Sequence, residues 1–297
     1  MRIVIFGAGS LGSALGGLLS RSNQVALIGR RAHMSAIRRH GLKVVGDVNL
    51  RVKLEAYESV DGVEPPELVV ITTKAYDTSS AIDSCRAWAS GNVRVLTLQN
   101  GIGSLDALRD WIGRRAFGGT TTMGANLLSP GKVRLSGLGR TVIGSDKDPA
   151  GAQRIASAFK ESGLSAVTKD EILAEIWAKA IVSASINPLT AVLRVSNGKL
   201  LESAPVSQLM SEVCEECELV ARRAGIRLPY TSMKARTRAV ARDTSNNRSS
   251  MLQDIERGRR TEVAQINGAF VKHGFERDIG TPLNLTLLAM VESLETR

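Results

Sequence analysis

The sequence predicts an α/β amino-terminal half built on a doubly wound parallel sheet, followed by an all-helical carboxy-terminal half. Three observations lead there. An apolar strand runs directly into a glycine-rich turn and a helix at residues 1–19. Short apolar runs then alternate with helical patterns, the signature of parallel strands joined by crossover helices. From Asp170 onward strand signals stop and helical periodicity takes over. At 297 residues with 43% hydrophobic content, the chain is long enough for two cores. The change of character puts the boundary near residue 168, giving a dinucleotide-binding domain over 1–168 and a helical substrate domain over 169–297, with a ligand cleft expected between them.

The first strand, MRIVIF, meets Gly7, Ala8, Gly9, Ser10, Leu11 and Gly12, then an apolar helix to residue 19. In a Rossmann-type fold each glycine of this GxGxxG has a task. Gly7 permits the tight turn, Gly9 lets backbone approach a pyrophosphate, and Gly12 lets helix pack on strand. The anion sits on the helix N-terminus, where unpaired N–H groups and the dipole favour it. The second strand, residues 24–29, ends where such folds normally present Asp or Glu to the adenosine ribose. This chain has Arg30 and Arg31 instead. Guanidinium groups grip a 2′-phosphate that a carboxylate would repel, so the cofactor expected is NADPH.

Residues 42–45 and 50–54 alternate apolar with polar and predict a small ribbon. Runs at 68–72, 93–98 and 116–119 predict further parallel strands. Val133 to Leu135 and Thr141 to Ile143, separated by Gly137-Leu138-Gly139, predict an antiparallel hairpin closing the sheet. Helical spacing then covers 172–185, 206–224, 251–257, 261–272 and 283–294. No internal repeat or low-complexity tract interrupts the series.

Lys and Arg exceed Asp and Glu by ten charges, but the basic residues are scattered and aromatics make up only 4%. Without a stacking platform, the charge reads as a field for small anions rather than a nucleic-acid surface. Three cysteines, no signal peptide and no apolar run near eighteen residues indicate a reducing, cytoplasmic protein with no membrane partner. Cys214 and Cys217 form one CxxC inside an acidic helix with no second pair or nearby His, which is half a zinc site and reads as two half-buried helix cysteines. His33, His40 and His273 lie in polar or basic contexts with no evident Ser, Cys or carboxylate partner.

A reductase needs a proton donor opposite the hydride, and Lys179 has the right context. Its cationic head lies in IWAKAIVSASINPLTA, where burial would lower its pKa. Ser183 and Asn187 follow at i+4 and i+8, making one polar stripe on an apolar helix. The segment NNRSSMLQD, with Asn247 and Ser250, concentrates amides and hydroxyls before a helix and suits a carboxylate. Glu262 opens another helix and can orient the lysine or a substrate hydroxyl. Taken singly, these residues also admit ordinary roles: a lysine reaching water, a serine N-cap, a surface glutamate.

From end to end the chain resembles the ketopantoate reductase (2-dehydropantoate 2-reductase) family. The resemblance rests on WAKAIVSASINPLTAVLRVSNGKL and NNRSSMLQDIERGRRTEVAQINGAF, with TTKAYDT, LQNGIGS and TTTMGANLLSPGKVRLSGLGRTVIG beside them. It implies NADPH-dependent reduction of 2-dehydropantoate to (R)-pantoate, a step toward pantothenate and coenzyme A. Lys179 is then the general acid, with Glu262 near both substrate and cofactor ribose. Ser183, Asn187, Asn197, Asn247 and Ser250 surround the substrate, and Lys74, Asn100 and Ala125 contact the cofactor. Lys74 and Asn100 each follow the carboxyl end of a predicted parallel strand, where ligands of such sheets gather. At Ser183 the family commonly has asparagine, and at Leu135-Ser136 often a histidine-containing hairpin. A paralogue reducing another branched 2-keto acid fits the same scaffold, and a non-catalytic NADP-binding sensor would not need Lys179 and Glu262. The helical half can stand alone or pair as a homodimer.

Overall fold

In a computed structural model, which describes residues 1–89 and 91–295, the chain divides into two compact units. One comprises Met1–Gln99 with Ser104–Ile172. The other comprises Leu173–Arg297 and takes in Asn100–Gly103, a segment that the sequence reading leaves in the first half.

The first unit alternates strand and helix: β1 (Arg2–Phe6), α1 (Ser10–Leu19), β2 (Gln24–Ile28), α2 (Arg31–His40), β3 (Leu42–Gly46), β4 (Leu50–Val52), β5 (Glu55–Tyr57), β6 (Leu68–Ile71), α3 (Thr78–Cys85), β7 (Arg94–Thr97), α4 (Ser104–Ile112) and β8 (Ala116–Thr121). It continues with β9 (Gly124–Ser129), β10 (Lys132–Gly137), β11 (Thr141–Gly144), α5 (Pro149–Glu161) and β12 (Ala166–Thr168). The main sheet has the order β12-β11-β8-β7-β6-β1-β2-β5, with every pair parallel except β8–β11. Its central strands are continuous apolar runs, as strands covered on both faces must be. Ile3, Val4 and Ile5 of β1, like all four residues of β6, are fully buried.

The expected hairpin does not form. Val133 and Leu135 belong to β10, which lies in a second sheet of order β4-β3-β10-β9, antiparallel to β9 and parallel to β3. Thr141 to Ile143 form β11 in the main sheet. The glycine run between them crosses from one sheet to the other. Gly139 has φ +56°, and a Cβ there would collide with the backbone of Thr122 and Met123, so close packing rather than a hairpin turn demands the glycine. The β3–β4 ribbon forms as predicted, antiparallel with Val44 opposite Leu50.

Two other expectations are corrected. His33 is buried. Its Nδ1 accepts from the Gly131 N–H at 2.9 Å, so Nε2 carries the proton toward Ser13 Oγ at 2.8 Å. Burial lowers its pKa, and the ring ties α1, α2 and the β9–β10 turn together. Cys214 and Cys217 are completely buried, not half-buried, and burial raises both thiol pKa values.

The second unit is helical: α6 (Ile172–Leu193), α7 (Lys199–Glu202), α8 (Ala204–Arg223), α9 (Met233–Asp243), α10 (Ser250–Glu256), α11 (Val263–Phe275) and α12 (Pro282–Glu295). α6 passes through Pro188 instead of ending near residue 185. By length and composition it could cross a membrane, at mean hydropathy 1.4, which corrects the expectation that no apolar run nears eighteen residues. Two-thirds of that stretch is buried inside the protein, as a core helix would be. Trp177 meets Phe270 of α11 edge to face, ring centroids 5.7 Å apart.

The glycine turn gives a direct test of this packing. A Cβ on Gly7, at φ +100°, would strike the Thr73 backbone, whereas one on Gly9 meets nothing nearer than the Gly7 carbonyl oxygen at 3.9 Å. Gly7→Ala should therefore lower unfolding free energy by at least about 1–2 kcal/mol from backbone conformation alone. Gly9→Ala should cost clearly less. Urea unfolding of the two variants compares them.

Candidate active site

Each unit contributes its own group of the predicted residues. In the first, Gly7 and Gly12 are tightly packed while Gly9 is exposed with open space above it. α1 begins after Gly9 with no side-chain cap and no acidic residue in its first turn, so its leading N–H groups and dipole face outward uncompensated. A diphosphate fits this cradle, and a side chain at Gly9 would fill it. Thr72 Oγ1 donates to the Gly7 carbonyl at 2.9 Å and fixes the turn. Ser10 Oγ accepts from the Leu127 N–H at 2.9 Å, which draws β9, with Ala125, against the start of α1. The Ser10 oxygen only accepts in this bond, which leaves its hydroxyl hydrogen unused by it. Ala8 is buried and Leu11 half-buried.

Arg30 caps α2 in an extended conformation and Arg31 is its first residue. Both are exposed, and neither side chain has a hydrogen-bond or ion-pair partner among the described residues. Two cations at the positive end of a helix dipole are unfavourable unless an anion joins them. Lys74 follows β6 and is half-buried. Its carbonyl accepts from Gln99 Nε2 at 3.1 Å, and the same nitrogen reaches Thr73 Oγ1 at 3.0 Å. Thr97 and Thr78 hydroxyls hold the other end of that amide. Sequence reading passes over Gln99, although it directly precedes Asn100 in LQNGIG.

In the helical unit, Lys179, Ser183 and Asn187 share one side of α6, all half-buried. Desolvation lowers the Lys179 pKa from 10.5 to about 8, against an opposing pull from Glu262 that favours the charged form. Glu262 is 5% exposed and sits at the start of α11, where its Oε2 accepts from Asn100 Nδ2 at 3.1 Å. The loop that brings Asn100 there is pinned to α11. The Ile102 N–H donates to the Gln265 carbonyl at 3.1 Å, and a Cβ on Gly101, at φ +85°, would collide with that same carbonyl. Within the helical unit Glu262 thus acts electrostatically on Lys179 and is hydrogen-bonded by Asn100.

Asn197 is buried. Its Nδ2 donates to Thr244 Oγ1 at 2.8 Å, and Thr244 passes its own proton to the Val240 carbonyl, so the amide orientation is fixed. Asn197 Oδ1 has no partner among the described residues. Its N–H donates to the Asn247 carbonyl, which holds Asn247 beside it with an exposed side chain. Before α10, Ser249 takes the capping duty, accepting from the Leu252 N–H at 3.0 Å and from Thr190 Oγ1 at 2.7 Å. Ser250 is exposed at the first helical position. Neither Ser183 Oγ nor the Asn187 amide makes a hydrogen bond to another described residue.

The family described as ketopantoate reductase PanE/ApbA matches residues 3–148, and its carboxy-terminal domain, ketopantoate reductase PanE/ApbA C terminal, matches 171–295. The 2-dehydropantoate 2-reductase of Pyrococcus abyssi is 39% identical over 99% of this chain and 98% of its own. A PanE/ApbA family ketopantoate reductase structure from Ralstonia eutropha superposes at a TM-score of 0.93 with 32% identity, covering 100% of this chain and 99% of that one. D-mandelate dehydrogenase with NADH and anilino(oxo)acetate also superposes at 0.93, with 30% identity and the same coverage.

The depressed Lys179 pKa carries a stability signature. Between about 8 and 10.5 the unfolded chain holds this proton and the folded chain does not, so the burial penalty, fully present below 8, is lifted as pH rises. The stability of the wild type relative to Lys179→Met should increase across that window. Urea unfolding of both proteins at a series of pH values reads the difference.

Proposed function

This chain belongs to the ketopantoate reductase family, and we propose that it reduces 2-dehydropantoate to (R)-pantoate with NADPH, Lys179 acting as general acid. The observation that carries this reading is the desolvated Lys179 ammonium coupled to a buried Glu262 that is itself held by Asn100. A pKa of about 8 leaves the amine protonated at neutral pH and makes it a stronger acid than a solvated lysine. Bound NADPH supplies the hydride. As negative charge builds on the keto oxygen, Lys179 Nζ stabilises it and transfers one proton, so C=O becomes CH–OH and the amine is left neutral. Glu262 favours the ammonium for the next cycle and offers an acceptor to a substrate hydroxyl. Asn247 and Ser250, with Ser183 and Asn187, supply amide and hydroxyl donors for the carboxylate, and the unpartnered Asn197 Oδ1 offers an acceptor to a substrate hydroxyl.

Open space at Gly9 and the uncapped α1 terminus support pyrophosphate binding, with Lys74, Asn100 and Ala125 as further cofactor contacts. The unpaired Arg30 and Arg31 support NADPH over NADH. A second reading, reduction of a different 2-keto acid, draws support from Ser183, whose short unbonded hydroxyl stands where the family commonly has asparagine. The likeness to a dehydrogenase of D-mandelate, an aromatic 2-hydroxy acid, adds to it. Oxidation of NADPH, followed by nicotinamide absorbance with 2-dehydropantoate, 2-ketoisovalerate and phenylglyoxylate, decides between them. Preference for 2-dehydropantoate upholds the first reading, and brisk turnover of another acid in its place upholds the second.

Lys179→Ala should lower kcat by about 10²-fold or more with circular dichroism unchanged. For the wild type, kcat/KM for reduction should fall as pH rises through about 8, where the acid loses its proton. Arg30→Gln should weaken NADPH binding about ten-fold and leave NADH affinity nearly unchanged, as read by nucleotide fluorescence titration.

A further inference from the structure

Pro188 lies inside α6 with no N–H to offer, so the carbonyl four residues back, that of Ala184, loses its helical donor. Ala184 is fully buried, and an unpaired carbonyl there would be costly. A side chain from another helix supplies the missing bond. Asn267 of α11, itself 0% exposed, donates from Nδ2 to the Ala184 carbonyl at 3.1 Å. The second hydrogen of that nitrogen goes to Asn284 Oδ1 at 2.9 Å. A carbonyl can only accept, so the orientation of the amide is fixed. Asn267 Oδ1 is left buried without a partner among the described residues, a cost tolerated for the two bonds on the other side.

Behind Asn267 stands a relay that holds it. Asn284 donates through its backbone N–H and Nδ2 to Glu216 Oε2, at 3.0 and 2.9 Å. Glu216 Oε1 accepts from the Leu283 N–H at 2.9 Å, so this carboxylate also sits on the positive end of α12. Cys217 gives its weak S–H donor to Asn284 Oδ1 at 3.4 Å. Helices α8, α12 and α11 together aim one amide at one carbonyl of α6.

That carbonyl sits at the break in the helix that carries Lys179, Ser183 and Asn187. Lys179 and Ser183 precede the unbonded turn, and Asn187 adjoins Pro188. We propose that Asn267 is a positioning residue for the reaction. By replacing the hydrogen bond that Pro188 deletes, it keeps the Lys179–Ser183 segment and Asn187 in one register. The inference rests on the catalytic reading of Lys179 given above.

The test uses Asn267→Leu, Pro188→Ala and the double variant. Leucine fills the asparagine's space but donates nothing. Alanine at 188 restores the helical N–H and makes the outside donor dispensable. Asn267→Leu should lower kcat/KM by about ten-fold, mainly through KM, because a displaced binding group weakens positioning. It should also shift the pH profile of Lys179 acetylation, read by mass spectrometry. The double variant should regain most of both losses. A fall in melting temperature alone, with kcat/KM and the acetylation profile unchanged, overturns the proposal, as does a double variant no better than Asn267→Leu. If Asn267→Leu fails to fold, the double variant decides. A folded, active double supports the inference, and an unfolded or inactive one overturns it. Acetylation needs no turnover, so a wild type that reduces no 2-keto acid would sink the catalytic reading while still leaving the register of α6 measurable.

Discussion

The helical unit is organised around a single requirement, a positive charge kept in an apolar helix without being neutralised. The neighbours of Lys179 along α6, Trp177, Ala178, Ala180 and Ile181, are all buried. Burial disfavours the charged form and pulls the ammonium pKa down. Glu262 resolves the conflict by opposing desolvation, at the cost of a second buried charge. That charge in turn needs donors, and Asn100 is one. The constraint then spreads through backbone geometry. Asn100 reaches Glu262 because Gly101 and Ile102 lie flush on the Gln265 carbonyl, which no residue with a side chain at 101 would permit. A four-residue loop that follows a strand of the sheet thereby packs as part of the helical unit.

In the first unit the equivalent constraint is close backbone approach. Gly7 meets the Thr73 backbone, Gly12 meets the Gly7 carbonyl and Thr72, and Thr72 bonds the turn. Gln99 then locks the Thr73–Lys74 corner from the neighbouring strand. The result is a rigid turn whose one roomy position, Gly9, faces outward. Rigid backbone around a single open N-terminus is what a preorganised anion site requires, since little ordering remains to be done on binding.

Much of this was legible from residue order alone. The parallel strands, the glycine turn, the β3–β4 ribbon and most carboxy-terminal helices follow from periodicity, because buried parallel strands and amphipathic helices leave strong local patterns. The partners of β10 and β11 were not legible. A run such as VRL looks the same whether its neighbour is the next strand or one about ninety residues earlier, and β10 pairs with β3. Lys179, Glu262 and Asn100 were legible as candidates, and Glu262 as a residue able to orient the lysine, but the Asn100–Glu262 bond was not, since a bond across 162 positions leaves no local trace. Pro188 shows the opposite case. It reads as a stop signal, yet the helix continues because tertiary hydrogen bonds replace the local one.

These exceptions share a pattern. Lysine is placed in an apolar helix, arginines at the positive end of a helix dipole, proline within a buried helix, and asparagine in a core with one oxygen unpaired. Each breaks a local rule, and each lies in or directly behind a group of candidate site residues. A sequence selected only for stability would remove them, because leucine, aspartate, alanine and leucine respectively satisfy the local rule better. Their presence together shows where folding energy is surrendered. Where the compensation is visible, as with Glu262 for Lys179 and Asn267 for Ala184, it comes from the protein. Where no described residue supplies it, as at Arg30 and Arg31, two cations are left open to an anion at the positive end of α2.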